Sequence, residues 1–398
     1  MKKIVGIIAA AAFAASAFAE VNIGTWNRGV FSPLHYDGDT LRSLEGPSWE
    51  VGDKGGIRTG LGFSASSENA GMVFDIHGNP GVAIAMGDNA YTWVKPVDML
   101  TLKFGKMDNN WGRLDHCFGT WNYARFANGL STGEGFAGVE RQKGCGAQVT
   151  LQPVEGLVID YEANFGKDNH TYAVMWENSS TMIGYKADFG FIRAIINGQP
   201  AASYEFGEDT KPAAIIGLAA DITAVENLAL KIGASIPTNL TGFVMKDADG
   251  KTTTDGKKCA KIESNKIQVG VGADYTLDAL ALHANATVHI MAKKAKDDGK
   301  QVELGAFGVT AGAGVDYAFS DMFKLVTDVR FASWTTSSMD KADIKYEDPA
   351  FGAYIGLEQA LTNAQFAFGA QFGKRAMSPA AKADDFTFAI PLTMTVSF

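Results

Sequence analysis

Residues 386–398 read FTFAIPLTMTVSF. Phe386, Phe388, Ile390, Leu392, Met394, Val396 and Phe398 share one parity, and Thr387, Ala389, Pro391, Thr393, Thr395 and Ser397 share the other. Side chains alternate across a strand, so this stretch predicts a β-strand with one apolar face and one small or polar face. The same alternation recurs along the chain as paired runs joined by a tight turn carrying Asp, Glu or Asn. Clear pairs span 93–106, 149–166, 215–235, 271–288, 314–331 and 353–372, with looser ones at 60–76 and 183–196. Turn residues between runs of period 2 predict β-hairpins. The segments between pairs are longer and polar and hold most of the charge clusters. Their uneven spacing excludes a solenoid.

The faces can be followed strand by strand. Ile57, Thr59, Leu61, Phe63 and Ala65 oppose Arg58, Gly60, Gly62 and Ser64. Leu157, Ile159, Tyr161, Ala163 and Phe165 oppose Asp160, Glu162 and Asn164. Leu280, Leu282, Ala284, Ala286, Val288 and Ile290 oppose His283, Asn285, Thr287 and His289. Eight turned pairs, a first strand at 21–30 and the terminal strand give 18 strands. The pattern is least regular near 82–95 and 171–197, and losing one hairpin there gives 16. The expectation is 16–18 strands, with 18 favoured.

Alternation alone does not separate a soluble sandwich from a barrel in lipid. The N-terminus separates them. Lys2 and Lys3 precede an apolar run from Ile4 to Phe13, then small residues to Ala17-Phe18-Ala19. This predicts a cleaved secretory signal over 1–19, with one domain over 20–398. No later segment offers 18 uninterrupted apolar residues, so no transmembrane helix is expected. An exported chain without such a helix enters a membrane only as a closed barrel, because only helices and closed barrels satisfy the backbone in lipid. The fold class is therefore all-β: a transmembrane antiparallel up-and-down β-barrel with short periplasmic turns and long external loops. The last strand is expected to close against the first, the strand at Val21, with Phe398 as the interfacial aromatic and membrane-insertion signal.

Charge refines this picture. The chain carries a net −9, and loss of Lys2 and Lys3 with residues 1–19 makes it −11. That argues against nucleic acid as a partner. Of three cysteines, Cys117 and Cys145 bracket one long loop and can pair, leaving Cys259; three separate thiols are the alternative. No metal-ligand spacing accompanies them, and no Gly-rich phosphate loop implies a nucleotide cofactor. The charges of inward parity are mixed. Arg58, Lys103, Lys231, Lys324 and Arg330 stand against Asp160, Glu162, Asp274 and Asp328. A barrel of this size leaves an aqueous channel. A mixed wall predicts weak ion selectivity, and the net charge tilts it toward cations.

The signal sequence, the hairpin rhythm and terminal Phe398 make the mature chain resemble the general diffusion porins of bacterial outer membranes. It is also similar to the porin-like proteins of spirochaetal outer sheaths. The resemblance implies passive diffusion of ions and small hydrophilic solutes, outer-membrane lipid as surroundings, delivery by periplasmic chaperones and the barrel-assembly machinery, and a homotrimer. In that family the third external loop folds into the lumen and narrows it. The third loop here, 107–144, is also the longest, and carries Asp108, Arg113, Asp115, Arg125, Glu134, Glu140 and Arg141 as candidate constriction charges. Its GEGFAG at 133–138 is similar to the family's Pro-Glu-Phe-Gly-Gly motif, without the Pro and with a Gly inserted. The alternative is an outward loop with solvated charges.

Other functions fit less well. The six histidines, His35, His77, His116, His170, His283 and His289, are scattered, and His116 beside Asp115 lacks the converging geometry of a triad, so no enzyme is expected. His283 and His289 share a face but stand about 20 Å apart by strand rise. An adhesin or structural barrel would use the loops at 32–56, 237–264 and 336–348. A sugar-specific channel would use Trp111, Trp121, Tyr123 and Phe126, which serve equally to pin the long loop to the wall.

Overall fold

The computed structural model describes residues 20–36, 38–42, 56–78, 85–109, 111–112, 143–165, 172–199, 213–238, 243–246, 261–264, 266–291, 294–297, 300–303, 307–333, 337–340, 343–346, 350–374 and 386–398. Residues 1–19 lie outside these. Eighteen strands form the barrel among the described residues. They are β1 (Glu20–Phe31), β2 (Gly56–Ser66), β3 (Ala70–Gly78), β4 (Ala85–Val97), β5 (Leu100–Asp108), β6 (Lys143–Leu151), β7 (Leu157–Asn164), β8 (Ser179–Ala187) and β9 (Gly190–Gln199). They continue with β10 (Ala213–Ile222), β11 (Leu228–Pro237), β12 (Lys266–Leu277), β13 (Leu280–Met291), β14 (Phe307–Ala318), β15 (Phe323–Ala332), β16 (Ala350–Leu361) and β17 (Ala364–Lys374). The last, β18, runs in two stretches, Phe386–Ala389 and Leu392–Ser397.

Each strand pairs antiparallel with its sequence neighbours, and β18 pairs with β1. The ring is closed, so no lipid-facing edge is left with unpaired N–H and C=O groups. All eight expected turns are present, at 67–69, 98–99, 152–156, 188–189, 223–227, 278–279, 319–322 and 362–363. Asn227 and Asp278 take positive φ in two of them, at 62° and 49°. These two residue types tolerate that region because their short polar side chains bond locally.

The seam closes as expected, β18 against β1: Phe398 pairs with Thr25, exchanging two backbone hydrogen bonds of 2.8 Å. The strands are tilted. Following the registers once round the ring returns to β1 displaced by about 22 residues, which inclines the strands by roughly 40°. Pro391 cannot donate to a ladder. Its carbonyl still accepts from Gly369 N at 3.1 Å, and next to it Ile390 N donates to Leu34 O at 2.9 Å. Ser32 Oγ adds a bond of 3.2 Å to Ile390 O. Beyond this point His35–Tyr36 pairs with Phe388–Ala389 where β1 has ended.

The apolar parity faces outward. Ile23, Ile183, Leu218, Val329, Ile355, Phe368 and Met394 are all exposed. The opposite parity holds buried polar residues, among them Gln148, Glu162, Asn197, Gln268, Asp328, Gln371 and Thr387. This inverts a soluble protein, as a lipid exterior and a wet interior require. A short helix that had no sequence signal, α1 (Tyr172–Glu177), packs against β9.

Ile355 lies mid-strand on β16, facing outward. Ile355→Arg is expected to cost about 2–4 kcal/mol of folding stability in phospholipid vesicles, read by denaturant titration, because it buries a charge in the lipid midplane. Equal stability of this variant and the wild type would contradict an outward Ile355.

Candidate functional site

The inner wall carries two polar sectors. The first runs over β4 to β10 and receives the root of the long loop. Gln148 on β6 and Asp160 and Glu162 on β7 are inward and buried. Gln148 Nε2 donates to Asp160 Oδ1 at 3.1 Å, and Thr150 Oγ1 donates to the same oxygen. Past the end of β5 the chain turns into the lumen. Asn109 Nδ2 donates to Glu162 Oε2 at 2.6 Å and to Gln148 Oε1 at 3.0 Å. Asp108 N donates to Asn89 Oδ1 at 3.3 Å. Trp111 packs with Met182 and Ile195, with Val158 and Phe191 beside them. Its carbonyl accepts from Arg193 Nε. Arg193 also pairs with Asp221 and lies 5.0 Å from the centre of the Phe191 ring. Buried polar groups are costly unless paired, so this set of bonds fixes the loop root against the wall.

Three carboxylates gather here. Glu162 feels the charges of Asp108 and Asp160, with Lys103 as the opposing cation. Lys103 Nζ itself lies over the Tyr91 ring at 5.4 Å.

The second sector spans β12 to β17. His283 Nδ1 lies 2.7 Å from Asp274 Oδ1, and its Nε2 lies 3.5 Å from Asp316 Oδ2. Lys324 Nζ bridges Glu358 at 2.7 Å and Asp316 at 3.6 Å. Gln365 Nε2 donates to Glu358 at 3.0 Å. Arg330 lies 3.4 Å from Asp328 on the same strand. The four carboxylates outnumber Lys324 and Arg330, with His283 a third cation only when protonated.

The predicted wall residues other than Arg58 fall on the inner face. Lys231 on β11 stands opposite Asp221, and Asp274 opposite His283. The backbone of Arg58 pairs with that of Arg28 in the β1–β2 ladder, and its side chain lies outside what the structure describes. Of the loop charges, Asp108 is described, while Arg113, Asp115, Arg125, Glu134, Glu140 and Arg141 lie outside the described residues. Cys145 is an exposed free thiol of outward parity on β6, and Cys117 lies outside the described residues. His283 and His289 do not come together: His289 Nδ1 sits 3.1 Å from Gln268 Nε2. Among the described residues no group of His, Cys, Asp and Glu could hold a metal ion. Sequence reasoning missed Asn109, Gln148, Arg193 and Asp221. Inward parity on predicted hairpins marks the last three, whereas nothing in the sequence pairs Asn109 with Glu162.

No family model matches the chain, and no curated protein does. Solved structures do match. Pseudomonas aeruginosa OpdL aligns at TM-score 0.53 and 9% identity, covering 95% of this chain and 99% of its own. In-vitro folded Vibrio cholerae OmpT, an outer membrane protein, aligns at TM-score 0.50 and 12% identity, covering 96% of this chain and 98% of its own. At these identities the likeness is one of fold: a closed antiparallel β-barrel like those of these outer-membrane proteins.

Trp111→Ala removes the packing that seats the loop root. The expected loss is about 3 kcal/mol of local anchoring. Limited trypsin digestion of the folded protein checks it: cleavage at Arg113 or Arg125 should quicken, and an unchanged rate would contradict the seating.

Proposed function

We propose that this chain is a passive diffusion channel for ions and small hydrophilic solutes, with a weak preference for cations. The observation that carries the reading is the inward seat of the long loop, where Asn109 and Trp111 are held on β6 to β9 inside a closed ring of 18 strands. A ring of this size exceeds what side chains can fill, so it encloses water unless a segment narrows it. The loop beginning at that seat supplies the narrowing.

The selectivity follows from the charges at the seat. Asp160 and Glu162 take hydrogen bonds from neutral Gln148, Thr150 and Asn109, and with Asp108 they outnumber Lys103, the cation set against them. The far sector sets Lys324, Arg330 and His283 against Asp316, Glu358, Asp328 and Asp274, so its carboxylates outnumber its cations and add to the same preference. Carboxylates at a narrowing favour cations. The homotrimer, the assembly machinery and the periplasmic chaperones belong to the family resemblance and are proposed on that basis.

Planar-bilayer recording of the refolded protein tests this reading. Stepwise openings are expected, with a small reversal potential of cationic sign in a salt gradient. Asp160→Asn combined with Glu162→Gln should move that potential toward the anion side. A silent bilayer would overturn the channel, and clear anion preference in the wild type would overturn the selectivity.

A further inference from the structure

Strands β9 to β16 each place an ionisable side chain on the inner face within four residues of a short turn. Arg193 pairs with Asp221, whose ladder partner is Lys231. Asp274 is the direct partner of Ala229, so Lys231 stands diagonally from it. Asp274 and His283 are direct partners, 2.7 Å apart at Oδ1 and Nδ1. His283 Nε2 lies 3.5 Å from Asp316, Asp316 lies 3.6 Å from Lys324, and Lys324 lies 2.7 Å from Glu358. The steps alternate between direct and diagonal partners. The belt therefore keeps level with the turns while the tilted strands climb past it.

The signs alternate along this belt, and His283 occupies the place of a cation. The other members are Arg193, Lys231 and Lys324 against Asp221, Asp274, Asp316 and Glu358. With an imidazolium at 283 the belt is neutral, and with an imidazole it carries one negative charge. A neutral ring has a single N–H, whereas the imidazolium offers one to each flanking carboxylate. His is the side chain whose charge ordinarily changes near pH 6.5. Its remaining charged neighbours do not alter the count. Gly314 is the direct partner of both His283 and Asp328, and beyond it Asp328 and Arg330 form a pair of opposite charge. The next inward residue on its own strand, Asn285, is neutral.

We infer that this belt is a second selectivity element at the short-turn end of the lumen, and that His283 sets its charge; the inference rests on the channel reading. Above the titration of His283 the belt adds one negative charge to the lumen and raises the preference for cations. Below it that contribution is gone. One unit charge about 8 Å from an ion in water changes the ion's local concentration about twofold.

Reversal potentials of the refolded protein in planar bilayers test this, measured at pH 5.5 and pH 8 around 10 mM salt, where screening reaches about 30 Å. His283→Gln fixes the belt at one negative charge, and His283→Arg fixes it neutral. At pH 8 the wild type should match His283→Gln and exceed His283→Arg about twofold in cation-to-anion permeability. At pH 5.5 it should match His283→Arg and fall about twofold below His283→Gln. Comparison at equal pH removes the titration of every other group. Heat-modifiable gel mobility checks folding, and if His283→Arg does not fold, His283→Gln decides alone. Equal permeability ratios of wild type and His283→Gln at both pH values would overturn the role of His283 and leave the channel standing. A silent bilayer would overturn both.

Discussion

The structure depends on one requirement: every backbone N–H and C=O in the lipid layer must find a partner within the protein. Each unpaired group would cost several kcal/mol there. Seventeen of the ladders join strands that are neighbours in sequence and need only short turns or loops. The eighteenth, between β1 and β18, joins segments from opposite ends of the chain. Without it the sheet has two open edges and no inside. The seam shows the requirement at work, because where Pro391 interrupts the strand, residues 32–36 step in to take the bonds that β1 no longer supplies.

Closure then imposes the division of the side chains. Once the ring is shut, period 2 sends alternate residues to lipid and to the lumen. The inner parity can carry charge only if it is solvated or paired. On β12 to β17 it is paired, as in Lys324 with Glu358 and Asp316. On β6 to β9 part of it is instead covered by the loop root, with Asn109 over Glu162 and Trp111 over Met182 and Ile195. The same wall that closes the barrel therefore provides the seat for the root of the long loop.

Much of this was legible in the sequence because a barrel strand obeys a short period. The alternations at 157–165 and 280–290 placed Glu162 and His283 on the inner face without any tertiary information. The turns were legible because Asn227 and Asp278 suit positive φ. Three features were not. The register of the seam depends on the tilt accumulated over all the strands, which no single strand encodes. The contact of Arg193 with Trp111 spans 82 residues of sequence. Helix α1 is too short to show a 3.6-residue period, and its position comes from packing on β9.

The most direct test of closure is a cysteine pair across the seam. Gly29 and Met394 are ladder partners on β1 and β18, and antiparallel partners lie within disulfide range. In a chain whose three native cysteines are replaced by serine, Gly29→Cys with Met394→Cys should cross-link under mild oxidation of the folded protein. The product should keep an altered gel mobility after boiling until it is reduced. Folded, heat-modifiable protein that forms no cross-link would contradict the closed ring.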